Sequence, residues 1–566
     1  MKLWQKIFLT LAALSLSLPL HATEWPAPKA GMQIDALRAW QIQEGGRKKP
    51  LDTFARESVR SLTGREKFRG FDPIELLLSW LTESKTWEDL PFIEVGFAPL
   101  QKQLQLDLTE GRVSPAQLRN NSNFTLFLQG VMTKQQEGSK LSELEKSGLA
   151  LMQRLTKFGA IASGDAFTLV PRKGEAWDSL GALARRYPSL DSLQADPSPD
   201  SKIAAGVQAL LASYHDGDGK MFSQVALLMT DTLNKQGERV GDYASAKQIS
   251  REIHFNQLKP FRWAWVGYSL AFFLLLSSLW LHGVRLYRVG LVVLAGTFCL
   301  HAYGIVLRCL ISGRAPVTNM YETVIWVSLG IVFFSLVFEA IYRARYYGVA
   351  AAALATLCLI LADSAPNILD PAINPLVPVL RNNYWLTVHV LTITLSYAAF
   401  ALALGVGNVS IGYYLFKPEA SEKIKNLNYF LYRSMQVGVV LLAAGTILGG
   451  VWANASWGRF WGWDPKEVWA LIALLGYLSI LHGRYAGWLR GFGLAVGSIL
   501  AFLLVIMSWY GVNFILGVGL HSYGFSSGGA KFVCGFVGLE LLWIIFATIR
   551  YKVLFPSAGG LKEGSV

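Results

Sequence analysis

Lys259-Pro260-Phe-Arg-Trp-Ala-Trp-Val-Gly-Tyr-Ser-Leu-Ala-Phe-Phe-Leu-Leu-Leu-Ser-Ser-Leu-Trp280 is where the chain changes character. Before Lys259 the sequence is polar. After Arg262 no Asp, Glu, Lys or Arg appears until Arg285, a run long enough to cross a bilayer as a helix. Eight further apolar segments come after it, near 289–310, 320–342, 346–363, 384–416, 431–453, 467–485, 491–517 and 531–550. With the first, near 263–282, they predict an all-α, polytopic membrane helical bundle of about nine spans. A mean hydropathy of +0.34 over 566 residues, with 52% hydrophobic and 16% charged, excludes a single soluble globule.

Charge supports this division. Lys and Arg number 31 against 29 Asp and Glu in residues 1–258, and 21 against 10 in residues 259–566. The +13 excess thus lies almost wholly in the apolar half. That argues against nucleic-acid binding, whose cations would line a soluble face, and for cationic loops between spans. If the first span runs from outside to inside, thirteen Lys and Arg fall in the inner loops and tail and eight at the outer ends. This predicts an outside N-terminus and a cytoplasmic C-terminus.

Residues 1–22 carry Lys2 and Lys6, an apolar run from Ile7 to Leu20, and Leu20-His21-Ala22 as a cleavage site. They resemble a secretory signal peptide, with an uncleaved anchor as the alternative; either exports the polar segment after it. Residues 23–258 show helical periodicity in stretches such as Lys140 to Ile161 and Ile203 to Gln236 and little strand alternation. A mostly helical extracytoplasmic domain is expected there. Its breaks come at Gln43-Glu44-Gly45-Gly46-Arg47 and Asp196-Pro197-Ser198-Pro199. His215 and His254 have no cysteine or second histidine nearby, so no metal site is expected of them. Residues 259–566 form the membrane domain. Cys299, Cys309, Cys358 and Cys534 all lie within or at the ends of apolar stretches, which indicates no disulfide framework. No Cys-x-x-Cys-His occurs, so the chain has no site for a covalent haem of its own.

Chemistry concentrates in Trp452-Ala-Asn-Ala-Ser-Trp457-Gly-Arg-Phe-Trp461-Gly-Trp463-Asp464-Pro465-Lys466-Glu467-Val-Trp469, which holds five of the nineteen tryptophans. An interfacial belt would spread its aromatics around the bundle. Here they sit in what reads as one Gly-punctuated loop, interleaved with Arg459, Asp464, Lys466 and Glu467. Trp faces offer large apolar area, glycines allow close approach and the cations can meet anionic substituents, which points to a platform for a planar ligand. His389, near the outer start of the fifth span, and His521, in Gly517-Val-Gly-Leu-His521, share the side of this segment. A lone membrane histidine is often an interhelical hydrogen bonder. Two at one depth flanking an aromatic platform read instead as axial ligands of a haem iron. His482 lies thirteen residues beyond Trp469, about 20 Å deeper along a helix, where it can serve a second, inner haem station. His282 shares that depth.

These residues resemble a known family. Trp457-Gly-x-Phe-Trp461-Gly-Trp463-Asp464-Pro465-Lys466-Glu467 looks like the tryptophan-rich WWD signature of haem-handling proteins. Asp-Pro-Lys-Glu, followed by a span ending Leu481-His482-Gly-Arg484, resembles the CcsA type, the haem-carrying half of the CcsBA (ResB/ResC) cytochrome c synthase. The resemblance takes in Ser312-Gly-Arg-Ala-Pro316 and Asn319-Met-Tyr321-Glu322. Less specifically, Gly46-Arg47-Lys48-Lys49-Pro50-Leu51-Asp52-Thr53-Phe54-Ala55 looks like the extracytoplasmic extension of some long forms.

The resemblance implies cytochrome c biogenesis, with haem b as substrate and bound ligand. His389 and His521 match the external iron ligands and His482 one of two intramembrane ligands, while Trp457, Trp461, Trp463, Asp464 and Arg459 line the haem site. The other intramembrane ligand belongs to a ResB/CcsB-like subunit, with His282 and His301 as internal candidates. The implied activity is that of a holocytochrome c synthase (haem lyase), acting on an apocytochrome c with Cys-x-x-Cys-His. A CcmC or CcmF-type haem delivery protein is the nearest alternative, and a non-haem transporter with an aromatic gate a more distant one.

Overall fold

The computed structural model describes residues 25–555 apart from 140, 282, 316, 367, 376–382 and 517–528. The expected signal peptide therefore lies outside the described residues. The chain divides into two compact units between Ala244 and Ser245, with Gly45–Arg47 belonging to the second.

The first unit is mainly helical, as the periodicity predicts, with three two-stranded sheets among its described residues. The expected break at 43–47 is the turn of a hairpin, Gln41–Glu44 with Arg47–Pro50. The break at 196–199 starts the helix Pro199–Asp216, where the Ser198 side chain accepts from the Ser201 N–H and Pro199 takes the first position. Trp80, Trp87, Phe92 and Phe158 are fully buried and pack edge to face and stacked, forming the aromatic centre of this unit's core.

Among the described residues, nine helices are long and apolar enough to cross a membrane, and the protein is an all-α polytopic membrane protein. The polar helix Ala246–Leu258 belongs to the second unit and runs to Lys259, whose left-handed backbone (φ 48°) separates it from Pro260–Trp280. Then come Val284–Ser312, Met320–Tyr342, Tyr346–Ser364, Asn383–Phe416, Ser421–Trp457, Pro465–Tyr485, Gly491–Ile506 and Ala530–Leu554. Gly491–Ile506 continues into wider π-helical turns over Met507–Leu516.

Small residues set the packing of the second unit. A Cβ at Gly330 would stand 2.8 Å from that of Ala398, and one at Gly405 would stand 3.1 Å from that of Ala350. Close backbone approach of this kind is how membrane helices gain dispersion energy, since lipid offers no hydrophobic drive between them. The long helices Asn383–Phe416 and Ser421–Trp457 form an antiparallel pair, with Gly445 against Ile393 and Gly449 against His389. Phe400 of this pair stacks on Tyr477 with ring centroids 3.7 Å apart.

Buried charges hold the loops. Glu339 accepts from the Tyr287 hydroxyl at 2.7 Å and from the backbone N–H groups of Arg345 and Gly348, fixing the start of Tyr346–Ser364. At the other end of these helices, Arg308 and Glu322 are 1% and 0% exposed and meet at 3.0 Å. Arg308 also donates to the carbonyls of Pro371 and Ala372, and Arg314 donates to Glu322 and to the Asn374 carbonyl. A buried ion pair persists only when its remaining donors and acceptors are satisfied, and here loop carbonyls and Thr318 do so.

Candidate functional site

The tryptophan-rich segment is a single loop only in its middle. Ala453, Asn454, Ala455 and Ser456 sustain a helix, so Trp452 and Trp457 are the last turns of Ser421–Trp457, and Gly458 ends it with φ 72°. Trp469 lies on the next helix, leaving residues 458–464 as the loop. This corrects the reading of 452–469 as one loop.

Asp-Pro-Lys-Glu is a helix start. Asp464 is the N-cap of Pro465–Tyr485, accepting from the Lys466 N–H at 3.1 Å, and Pro465 occupies the first helical position. Glu467 reaches back and accepts from the N–H groups of Asp464 at 3.1 Å and Gly462 at 2.8 Å. This capping box satisfies donors that the helix cannot. It also holds Trp463 in the left-handed region, at φ 57°, which costs a bulky residue energy. Trp463 is consequently 72% exposed, edge-on to Trp461 at 5.9 Å.

His389 stands beside the end of the preceding helix. Its Nδ1 is 2.8 Å from the Gly445 carbonyl oxygen. A carbonyl only accepts, so Nδ1 carries the proton and the lone pair belongs to Nε2, the tautomer of a metal-binding histidine oriented by backbone. Gly449 makes room for the ring: a Cβ there would lie 2.6 Å from His389 Cε1. Trp452, 1% exposed, lies parallel to the imidazole and packs with Leu386 and Ala453, with Trp385, Val390 and Trp457 around them. Trp457 meets Trp452 at 4.6 Å and 64°, and the Arg459 guanidinium lies 5.7 Å from the Trp457 ring.

His482 lies seventeen residues beyond Pro465, about 25 Å along the helix and away from the tryptophans. Its Nδ1 is 2.7 Å from the Leu478 carbonyl, which selects the same tautomer, and its ring is exposed on the helix surface. His521 and His282 lie outside the described residues. His301 is fully buried, 3.1 Å from the Tyr268 hydroxyl and edge-on to Phe261. It is a packed interhelical hydrogen bonder inside the bundle. His254 pairs with the Tyr303 hydroxyl at 3.2 Å. No group of three His, Cys, Asp or Glu suited to a metal ion occurs among the described residues.

Sequence reading did not find the glycines that position His389, nor the partner of Lys466. The Lys466 ammonium reaches Asn513 Oδ1 at 3.5 Å, and Asn513 in turn donates to Met320 Sδ at 3.7 Å. The segments 312–316 and 319–322 carried a signal, since charges in an apolar context need partners. The partners, Arg308 and the carbonyls of 371–374, are distant in sequence.

Residues 317–521 match the family model described as cytochrome C assembly protein. The protein NrfI of Wolinella succinogenes is 29% identical over 509 residues, which cover 84% of this chain and 53% of that protein. The chain thus spans about half the length of NrfI, and the match takes in much of the polar half. The cytochrome c biogenesis protein CcsA of Prochlorococcus marinus is 34% identical over 299 residues, 45% of this chain and 92% of that protein. CcsA of Synechococcus sp. is 35% identical over 270 residues, 42% of this chain and 84% of that protein.

Proposed function

This chain belongs to the CcsA-type cytochrome c biogenesis proteins, and we propose that it binds haem b, carries it to the outer face of a bacterial inner membrane and supports its thioether attachment to apocytochrome c. The observation that carries this reading is the state of the two described candidate ligands. His389 and His482 each donate Nδ1–H to a helical carbonyl, so that Nε2 carries the lone pair with which an imidazole would bind iron.

In this proposal haem enters near His482 on the cytoplasmic side, moves outward and is held between His389 and His521. Two axial imidazoles fill both open iron positions and limit oxygen chemistry at an exposed haem. Trp452, parallel to His389, would brace the ligand's ring, and Trp457 beside it would supply apolar surface for the porphyrin. Trp461 and the exposed Trp463 extend that apolar edge, and Asp464 holds the loop as its cap. The apocytochrome brings Cys-x-x-Cys-His; its histidine replaces one axial ligand and its thiols add across the vinyl groups. No nucleophile of this chain is needed, and positioning supplies the rate. His482, exposed on its helix, is open to a histidine from a ResB-like subunit, while the exported domain meets a protein partner.

The test is the visible spectrum of the purified full-length chain from haem-replete membranes. A Soret band with the low-spin pattern of two axial histidines is expected, and a colourless protein overturns the reading.

A further inference from the structure

The charged residues of the tryptophan segment divide into two kinds. Both carboxylates are engaged by backbone: Asp464 accepts from the Lys466 N–H, and Glu467 accepts from Gly462 and Asp464. Neither cation has a carboxylate within ion-pair distance among the described residues. Lys466 is partly buried, and its ammonium donates to a neutral acceptor, Asn513 Oδ1 at 3.5 Å. Arg459 lies over the Trp457 ring. Its guanidinium also crosses Gly462 so closely that a Cβ there would collide with it. A cation held in a low-dielectric setting without a counter-ion is costly, and such cations mark places where an anion arrives.

We propose that Arg459 and Lys466 are the counter-ions for the two carboxylates of a planar dianion, so that haem is held at this loop through its propionates as well as through iron. The proposal rests on the haem reading above and adds to it. Arg459 on the connection 458–464 and Lys466 in the first turn of the helix that follows, with Trp461 and Trp463 between them in sequence, suit a ligand with an apolar face and two anionic arms on one edge. The arrangement orients as well as binds. With the propionate edge fixed at the cations, the vinyl edge of the porphyrin is turned away from them, which is the edge the thiols must reach. Lys466 also reports on the bundle, because its acceptor Asn513 contacts Met320, next to the buried Arg308–Glu322 pair.

Anionic phospholipid headgroups have the same charge chemistry, and the experiment separates the two sources. Full-length protein freed of bound haem, in a neutral detergent without phospholipid, is titrated with haem and with haem dimethyl ester, following the Soret band. Wild-type protein is expected to bind the free acid at least tenfold more tightly than the ester. Lys466→Met and Arg459→Met should each shrink that preference while leaving the ester's affinity unchanged. Lys466→Arg should keep most of it, and Gly462→Ala, which displaces the guanidinium, should resemble Arg459→Met. Equal affinity of wild-type protein for acid and ester overturns the proposal and leaves haem binding intact; it needs no variant to fold. Loss of the preference on adding phosphatidylglycerol assigns the cations to headgroups and also overturns it. Failure to bind either porphyrin sinks the haem reading itself.

Discussion

The imidazole of His389 and the indole of Trp452 lie parallel, 7° apart in plane with centroids separated by 6.2 Å, although sixty-two positions of sequence lie between them. The ring of His389 is fixed on one side by the Gly445 carbonyl and fits into the space left at Gly449. Its orientation is therefore set by backbone and by packing, before any ligand arrives.

His389→Ala and His521→Ala should each abolish maturation of c-type cytochromes, at least tenfold by haem stain of membrane fractions. Added imidazole should partly restore the His389→Ala protein by filling the vacated axial position. Normal cytochrome levels in both variants would remove these residues from the haem site.

Gly449→Val should mimic the loss of His389 without touching it. A Cβ at this position meets Cε1 at 2.6 Å, and overpacking of this kind costs about 1–3 kcal/mol or turns the ring aside. The expected result is weaker Soret absorbance in a protein that still inserts. An unaltered spectrum would show that the ring has room to move.

Asp464 separates capping from ligand binding. Asn caps as well as Asp, whereas Ala loses about 1 kcal/mol. Asp464→Asn should retain haem and function and Asp464→Ala should lose both in part. If Asn is as damaging as Ala, the carboxylate charge itself is needed.

Glu322→Gln leaves Arg308 and Arg314 in the bundle without their shared carboxylate. Breaking a buried pair costs about 3–5 kcal/mol, so the variant should unfold at a clearly lower temperature in detergent. The test is a thermal melt followed by tryptophan fluorescence, and an unchanged midpoint contradicts the pairing.

His482→Ala should lower haem content at both stations, because the inner one fills first, whereas His389→Ala should leave inner loading largely intact. Haem content per protein, measured with and without a co-expressed ResB-like subunit, checks the order. Full maturation by this chain in cells lacking such a subunit would transfer the missing ligand to the chain itself, with His282 first in line.

The spans were legible because hydrocarbon length and backbone hydrogen bonding leave few alternatives: the uncharged run after Arg262 can only be a helix there. Asp-Pro-Lys-Glu was read as a family signature within a loop and not as the capping box it forms, since sequence does not say which donors a carboxylate will meet. The continuation of Ser421–Trp457 to Trp457 was likewise hidden. A glycine-punctuated aromatic run is compatible with loop or helix, and packing of Trp452 against Leu386 and Ala453 decides between them.

By itself, then, the sequence determined an all-α membrane bundle, the end of the bundle at which its aromatics gather, and the histidines worth testing. All of these derive from local properties: hydropathy, charge and spacing. Only the tertiary structure decided that Gly445 and Gly449 orient His389, that His301 is a core residue bonded to Tyr268, and that Asp464 and Glu467 accept from backbone N–H groups while Arg459 and Lys466 have no carboxylate within ion-pair distance among the described residues. The placements of His389 and His301 depend on which distant atom stands within about 3 Å of a polar group, a distance set by how helices cross rather than by what any one of them contains.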